Sequence, residues 1–135
     1  MIRYQVEEQL DFREFITVLK KSGLSDRRPI DDEERIKKMV QNAQLIITAR
    51  SDSKLIGVAR SVTDFAYCTY LSDLAVDVDY QGQGIGTELI RRTKLASPDA
   101  ALILLSAPAA ISYYPKIGME EHSACFILRD IKNLK

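Results

Sequence analysis

The chain has 135 residues, 46% of them hydrophobic and 28% charged, the ordinary balance of a globular protein long enough to bury a core of its own. Lys+Arg and Asp+Glu number 19 each, so net charge offers no footprint for nucleic acid. Two cysteines without metal-ligand spacing and a single histidine argue against a metal site, and no apolar run reaches the ~18 residues of a membrane span.

The opening residues Met1, Ile2, Arg3 and Tyr4 lack the apolar stretch of a secretion signal, so a cytoplasmic setting with free thiols at Cys68 and Cys125 is expected. No repeat, low-complexity tract or linker interrupts the chain, which reads as one domain over residues 1–135. Residues 2–7 alternate as a first strand would. Phe12, Phe15, Ile16 and Leu19 then fall on one helical face. Gly23 and Pro29 punctuate the break over residues 22–30. A second helix carries Ile36, Met39 and Val40 inward, with acidic residues Asp31, Asp32, Glu33 and Glu34 at its start and Lys37 and Lys38 later, the order the helix dipole favours.

Residues 45–50 and 55–62 flank a polar turn and predict a hairpin. A longer strand over residues 67–78 leads to a glycine-rich run, Gln81-Gly82-Gln83-Gly84-Ile85-Gly86-Thr87, and a helix over residues 85–96 leads away. That helix is expected to turn Ile85, Leu89 and Ala96 inward, with Arg91, Arg92 and Lys94 outward. Residues 100–105 are continuously apolar, as in a strand buried on both faces. Pro108 suits the start of a short helix and Gly118 its end, and residues 120–128 predict a last strand. The order β-α-α-β-β-β-α-β-α-β means an α/β protein with a mixed sheet and helices on its faces.

Strand, glycine turn and helix start together make an anion cradle. Glycine allows close backbone approach, and the first helical turn offers unpaired N–H groups at the positive end of the dipole. The spacing is neither the dinucleotide fingerprint, because Gly82, Gly84 and Gly86 are each two apart, nor a Walker loop, because no Gly-Lys-Ser/Thr follows.

Leu74-Ala75-Val76, Asp77-Val78-Asp79-Tyr80 and the glycine run resemble motif A of the GNAT superfamily of N-acetyltransferases, whose loop pattern Gln/Arg-x-x-Gly-x-Gly/Ala is met by Gln81, Gly84 and Gly86. Downstream, Ala110, Tyr114, Lys116, Gly118 and Met119 resemble the family segment Ala-x-x-x-Tyr-x-Lys-x-Gly-Phe. The resemblance implies the GNAT fold over nearly the whole chain, with two splayed parallel strands holding acetyl-coenzyme A as co-substrate. It implies that backbone groups at Leu74, Ala75, Val76 and Val78 pair with pantetheine. It implies that the loop Gln81, Gly82, Gln83, Gly84, Ile85, Gly86 and Thr87 takes the pyrophosphate, and that Tyr114 sits at the cofactor sulfur. The reaction implied is attack of an amine of a small molecule or peptide on the thioester in a ternary complex; a non-catalytic acyl-coenzyme A sensor or subunit is the alternative.

A phenol (pKa ~10) is a weaker acid than a thiol (pKa ~8.5), so Tyr114 is expected to stabilise the leaving thiolate by a hydrogen bond rather than by full proton donation. For the general base, Tyr70, Ser72 and Asp73 are candidates on the strand before the loop, and only Asp73 is a base of suitable strength. Alternation places Asp73 on the face opposite Tyr70, Ser72 and Leu74, unless a β-bulge re-aims it; a hydrogen-bonded structural carboxylate is its competing role. Arg91 and Arg92 are candidates for the 3′-phosphate against the plainer expectation of solvent-facing charge. Many family members carry Asn where this chain has Ala107, so that contact to the cofactor is missing. Acceptor contacts are expected from residues 22–30, residues 63–67 and the region of Tyr113, and the family also includes homodimers.

Overall fold

The computed structural model covers all 135 residues. The chain forms two compact units, Met1–Leu105 and Ser106–Lys135. The first contains a five-stranded sheet in the order β1-β2-β3-β4-β5, built from β1 (Ile2–Val6), β2 (Leu45–Ser51), β3 (Lys54–Thr63), β4 (Cys68–Val76) and β5 (Ala101–Ile103). The first four strands are mutually antiparallel and β5 runs parallel to β4, so a crossover helix must join that pair.

Helices α1 (Phe12–Ser22) and α2 (Glu33–Gln41) cover one face of the sheet. Their Phe15, Val18, Leu19, Ile36 and Val40 pack with Ile46, Leu55, Val58 and Ala75. Both begin at an aspartate: Asp11 accepts from Arg13 N at 2.8 Å and Asp32 from Arg35 N at 3.1 Å, filling donors that a helix start leaves open. The crossover helix α3 (Ile85–Ala96) covers the other face through Ile85 and Leu89, against Leu45, Ile47, Ala49, Ile56, Ala59 and Leu71. Gly57 sits under it; a Cβ there would lie 3.2 Å from Leu89 and 3.3 Å from Ile85, tight enough that those side chains would have to shift by a few tenths of an ångström. Thr93 is the third buried residue of α3 and Ala96 is exposed, correcting the expected inward set.

The hairpin turns at Asp52 and Ser53, both with positive φ (48° and 75°), the pair of left-handed residues that a two-residue turn requires. The register slips at two places. Between Ala49 and Arg50 the extra residue is Ile56 of β3; between Arg60 and Ser61 it is Ser72 of β4, since Arg60 faces Asp73 while Ser61 faces Leu71. The bulge at Ser72 exchanges the faces of β4. Leu71 packs with the α3 cluster, yet so do Leu74 and Val76, while Ala75 joins the α1/α2 cluster. Asp73 therefore points to the α1/α2 side, as the bulge expectation required.

Three sequence expectations need correction. The apolar run 100–105 yields only the three-residue edge strand β5, with Ile103 53% and Leu105 45% exposed, because it pairs with β4 alone and only briefly. In the second unit, the helix expected from Pro108 to Gly118 is two pieces, a 3-10 turn at Pro108–Ala110 and α4 (Tyr113–Lys116). Gly118 has φ 98° and its N–H reaches Pro115 O at 3.1 Å, closing α4 where glycine was expected to. Residues 120–128 form no strand and are exposed; an apolar run such as residues 124–128 does not make one without a partner for the ladder.

Candidate functional site

β4 and β5 pair only at Cys68–Ala101, Thr69–Leu102 and Tyr70–Ile103, after which β4 continues for six residues with no partner on that side. Leu71 to Val76 thus have β3 on one edge and an open edge on the other, the geometry that takes a strand-like ligand. Leu74 and Val76 are half-buried, and Ala75 is buried in the α1/α2 cluster.

The strand stops at Asp77, which is fully buried. Its N–H donates to Ile56 O at 2.8 Å, and its Oδ1 accepts from Asp79 N at 2.9 Å, capping the 3-10 turn Val78–Tyr80. Lys54 Nζ lies 3.8 Å from the other carboxylate oxygen. Val78, named as a backbone contact, lies in this turn beyond the strand and is 62% exposed.

Gln81, Gly82, Gln83 and Gly84 are all exposed. Gly82 and Gly84 have φ 78° and 80°, and a Cβ at either would meet nothing within 4 Å, so the loop backbone borders open space. Gly84 is the N-cap of α3 and has no side chain to satisfy the first turn, which leaves backbone donors and the dipole at a surface of open backbone. Ile85 is buried and anchors the helix start, so the amides rather than its side chain serve the loop. Gln81 turns back, its Nε2 donating to Val76 O at 2.9 Å; that carbonyl is therefore already occupied. Arg91 and Arg92 both bind Glu88, at 2.8 and 2.7 Å. The Arg91 and Arg92 hydrogen bonds hold the Glu88 carboxyl at about 2.

Asp73 has no solvent exposure. Arg28 Nε donates to its Oδ1 and Arg60 Nε to its Oδ2. Neither arginine was named from sequence. Arg60 carried a readable signal, a lone cation inside an apolar strand, which demands a buried anion; Arg28, in an irregular segment, carried none.

In the second unit, the rings of Tyr113 and Tyr114 meet edge-on, with centroids 5.2 Å apart and planes at 76°. Burial, and to a lesser degree the neighbouring Tyr113, raise the Tyr114 phenol above its ordinary value of 10.0. His122, exposed, accepts from Ala124 N at 3.1 Å within its own turn. No group of three or more His, Cys, Asp or Glu side chains is arranged to hold a metal ion.

At the paired end of β4 and β5 lies a separate open groove of about 540 Å³, lined by Val62, Thr63, Cys68, Thr69, Tyr70 and Ile103 among others. It includes no residue of the glycine loop.

Split parallel strands, a glycine loop and a helix start without a side-chain cap define an α/β protein with exposed loop backbone beside an open strand edge. The family model for the acetyltransferase (GNAT) domain matches residues 20–133, and the chain belongs to that family. It is 35% identical over 74 residues to the chloroplastic GCN5-related N-acetyltransferase 2 of Arabidopsis thaliana, covering 53% of this chain and 29% of that protein. The chain thus spans under a third of the length of the first curated relatives it matches. Among solved structures, a GNAT-family acetyltransferase of Streptococcus pneumoniae shares the fold at TM-score 0.76, with 20% identity, 96% of this chain and 100% of that chain. A predicted acetyltransferase of Clostridium acetobutylicum, solved with acetyl-CoA, superposes at TM-score 0.73 with 15% identity, each chain covered in full.

Proposed function

We propose that this chain, acting as a single domain over residues 1–135, transfers an acetyl group from acetyl-coenzyme A to an amine of a small molecule or peptide. The observation that carries this reading is the parting of β4 from β5 after Tyr70 and Ile103, immediately upstream of the Gly82–Gly84 loop at the start of α3. An open strand edge suits the amide groups of pantetheine, and exposed loop backbone at a helix start suits a pyrophosphate. The acetyl-CoA carried by a structural neighbour supports the same donor.

In the reaction, the amine nitrogen forms a bond to the thioester carbon, the carbon–sulfur bond breaks, coenzyme A leaves as thiolate, and the nitrogen sheds its extra proton to water to leave a neutral amide. The attacking amine must first lose the proton it carries at neutral pH, where an alkyl ammonium has pKa ~10.4. Asp73 is a poor recipient, because both of its oxygens are engaged by guanidinium groups away from solvent; we assign that proton to water. For the developing oxyanion we assign a backbone N–H along residues 71–76, whose open edge supports that reading. We keep Tyr114 as the hydrogen-bond donor to the thiolate; its raised pKa keeps the phenol protonated for that task. The groove at Thr63, Tyr70 and Ile103 is the proposed acceptor side, which favours an amine carried on a partly apolar molecule.

The test is acetyl-CoA-dependent thiol release with a panel of amines, alongside calorimetry with acetyl-CoA, NAD and ATP. Binding of acetyl-CoA alone with turnover of at least one amine is expected. Binding without turnover of any amine leaves an acyl-CoA sensor, and binding of NAD or ATP in its place removes the donor assignment.

A further inference from the structure

The arginines around Asp73 touch no residue of the glycine loop. Arg60 is 7% exposed and the Arg28 side chain 20%. With Nε of each given to Asp73, their remaining donors go to the bulge and its neighbours. Arg28 Nη2 donates to Ser72 O at 2.8 Å, and Arg60 Nη2 to Ser72 Oγ at 3.0 Å. Arg60 Nη1 reaches Met39 O of α2 at 3.2 Å, and Arg28 Nη1 reaches Arg27 O at 2.8 Å. Both residues at the slip in β4 are therefore held by the same two planar forks.

A bulged residue leaves the regular ladder, and its carbonyl needs another donor when it is not in water. Arg28 supplies it. Asp73 in turn tolerates burial because each oxygen has its own guanidinium. Arg28 also comes from the irregular segment after α1, where the 3-10 turn Leu24–Arg27 ends. One carboxylate thus ties that segment, β3, β4 and, through Met39, α2.

We propose that Arg28 and Arg60 are positioning residues for acetyl transfer: acting through Asp73 and Ser72 they fix the β4 backbone that carries the thioester, and Arg28 locks the segment 24–28 onto it. This rests on the acetyl-transfer reading above. The assignment predicts a split between turnover and donor affinity, since the glycine loop is untouched by the cluster. Arg28→Lys should lower kcat about tenfold or more while the Kd for acetyl-CoA changes less than about threefold, because an ammonium lacks the planar fork that reaches Asp73 and Ser72 O from two separate nitrogens. Single losses leave a buried unpaired charge and risk unfolding, so the decisive variant is the apolar triple Arg28→Met, Asp73→Leu, Arg60→Met, which removes all the charges at once.

Folded triple variant with kcat lowered at least tenfold, and with amide hydrogen exchange of residues 71–76 at least tenfold faster, supports the assignment. A folded triple variant with wild-type turnover, or with unchanged exchange at those amides, overturns it; so does Arg28→Lys with unaltered kcat. Should the triple variant not fold, Arg28→Lys with the same two measurements decides. A wild-type protein that binds acetyl-CoA but acetylates no amine would sink the function proposed above, and unchanged exchange in the variants would still refute the pinning separately.

Discussion

Gly84 holds φ 80° with open space where a Cβ would stand, so the cost of replacing it lies in the backbone rather than in a clash. An L-residue in the left-handed region costs roughly 1–2 kcal/mol, and asparagine pays less than alanine. Gly84→Ala should therefore lower stability by about that amount in urea unfolding and weaken acetyl-CoA binding, with Gly84→Asn closer to wild type. Equal stability for the alanine variant would mean the conformation is not required. Tyr114 makes a prediction of a different kind. Its pKa is raised in the folded protein, so the native state keeps the proton longer than the unfolded chain does. Its contribution to stability is full below the unfolded value of 10.0 and is lost as pH rises through the folded value. Tyr114→Phe should flatten the alkaline fall in stability, and in the proposed reaction it should lower kcat more than it changes donor affinity. An unaltered alkaline limb would remove the burial effect as its cause.

At the scale of elements, Arg50 of β2 joins the end of β1 to α1. Its Nε and Nη2 donate to Glu7 at 2.6 and 3.0 Å, and its Nη1 and Nη2 to Glu14 at 2.8 and 2.9 Å. Burial alone would raise the Glu7 pKa, but hydrogen bonds from Arg50, Thr48 and Gln5 outweigh it and the carboxyl ends below its ordinary 4.5. The sign follows: the stabilisation is present above the unfolded value and lost as pH falls through the folded one. Glu7→Gln should cost about 1.5–3 kcal/mol at neutral pH, and its deficit should shrink in acid until the two proteins unfold alike. A deficit independent of pH would assign the loss to packing instead.

These elements also mark how far sequence reading reaches. α3 was legible to its ends, because its start is a glycine turn and its apolar stripe is strong. The hairpin and the first two helices were legible for similar local reasons. The paired end of β4 and β5 was not, since a run such as Ala100 to Leu105 is equally apolar whether it is central or an edge. Residues 120–128 failed for the reason that pairing is not a local property. Of the site, the glycine loop was visible as a pattern. The role of Asp73 was open between base and structural carboxylate, because its partner Arg28 lies 45 positions away with no periodicity to link them.

For the whole molecule, a donor that binds only the folded state must stabilise it. Acetyl-CoA at about a hundred times its Kd should add ~2.7 kcal/mol, read as a rise of several degrees in the melting temperature; coenzyme A should do much of the same, and NAD should not. No shift with either thioester or thiol would remove the donor site. No helix is long and apolar enough to cross a membrane. The bulge at Ser72 has a consequence for inheritance as well. One extra residue exchanges the faces of β4, so the length of the strand and the presence of the bulge are linked. Deleting Ser72 would set Leu71 directly before Asp73 in a regular ladder, Leu71 staying with Ile85 and Leu89 and Asp73 on the α1/α2 side, and would remove the carbonyl that Arg28 holds. Descendants of this chain that lose the bulge should therefore keep the buried faces of β4 and give up the Arg28 hold on it.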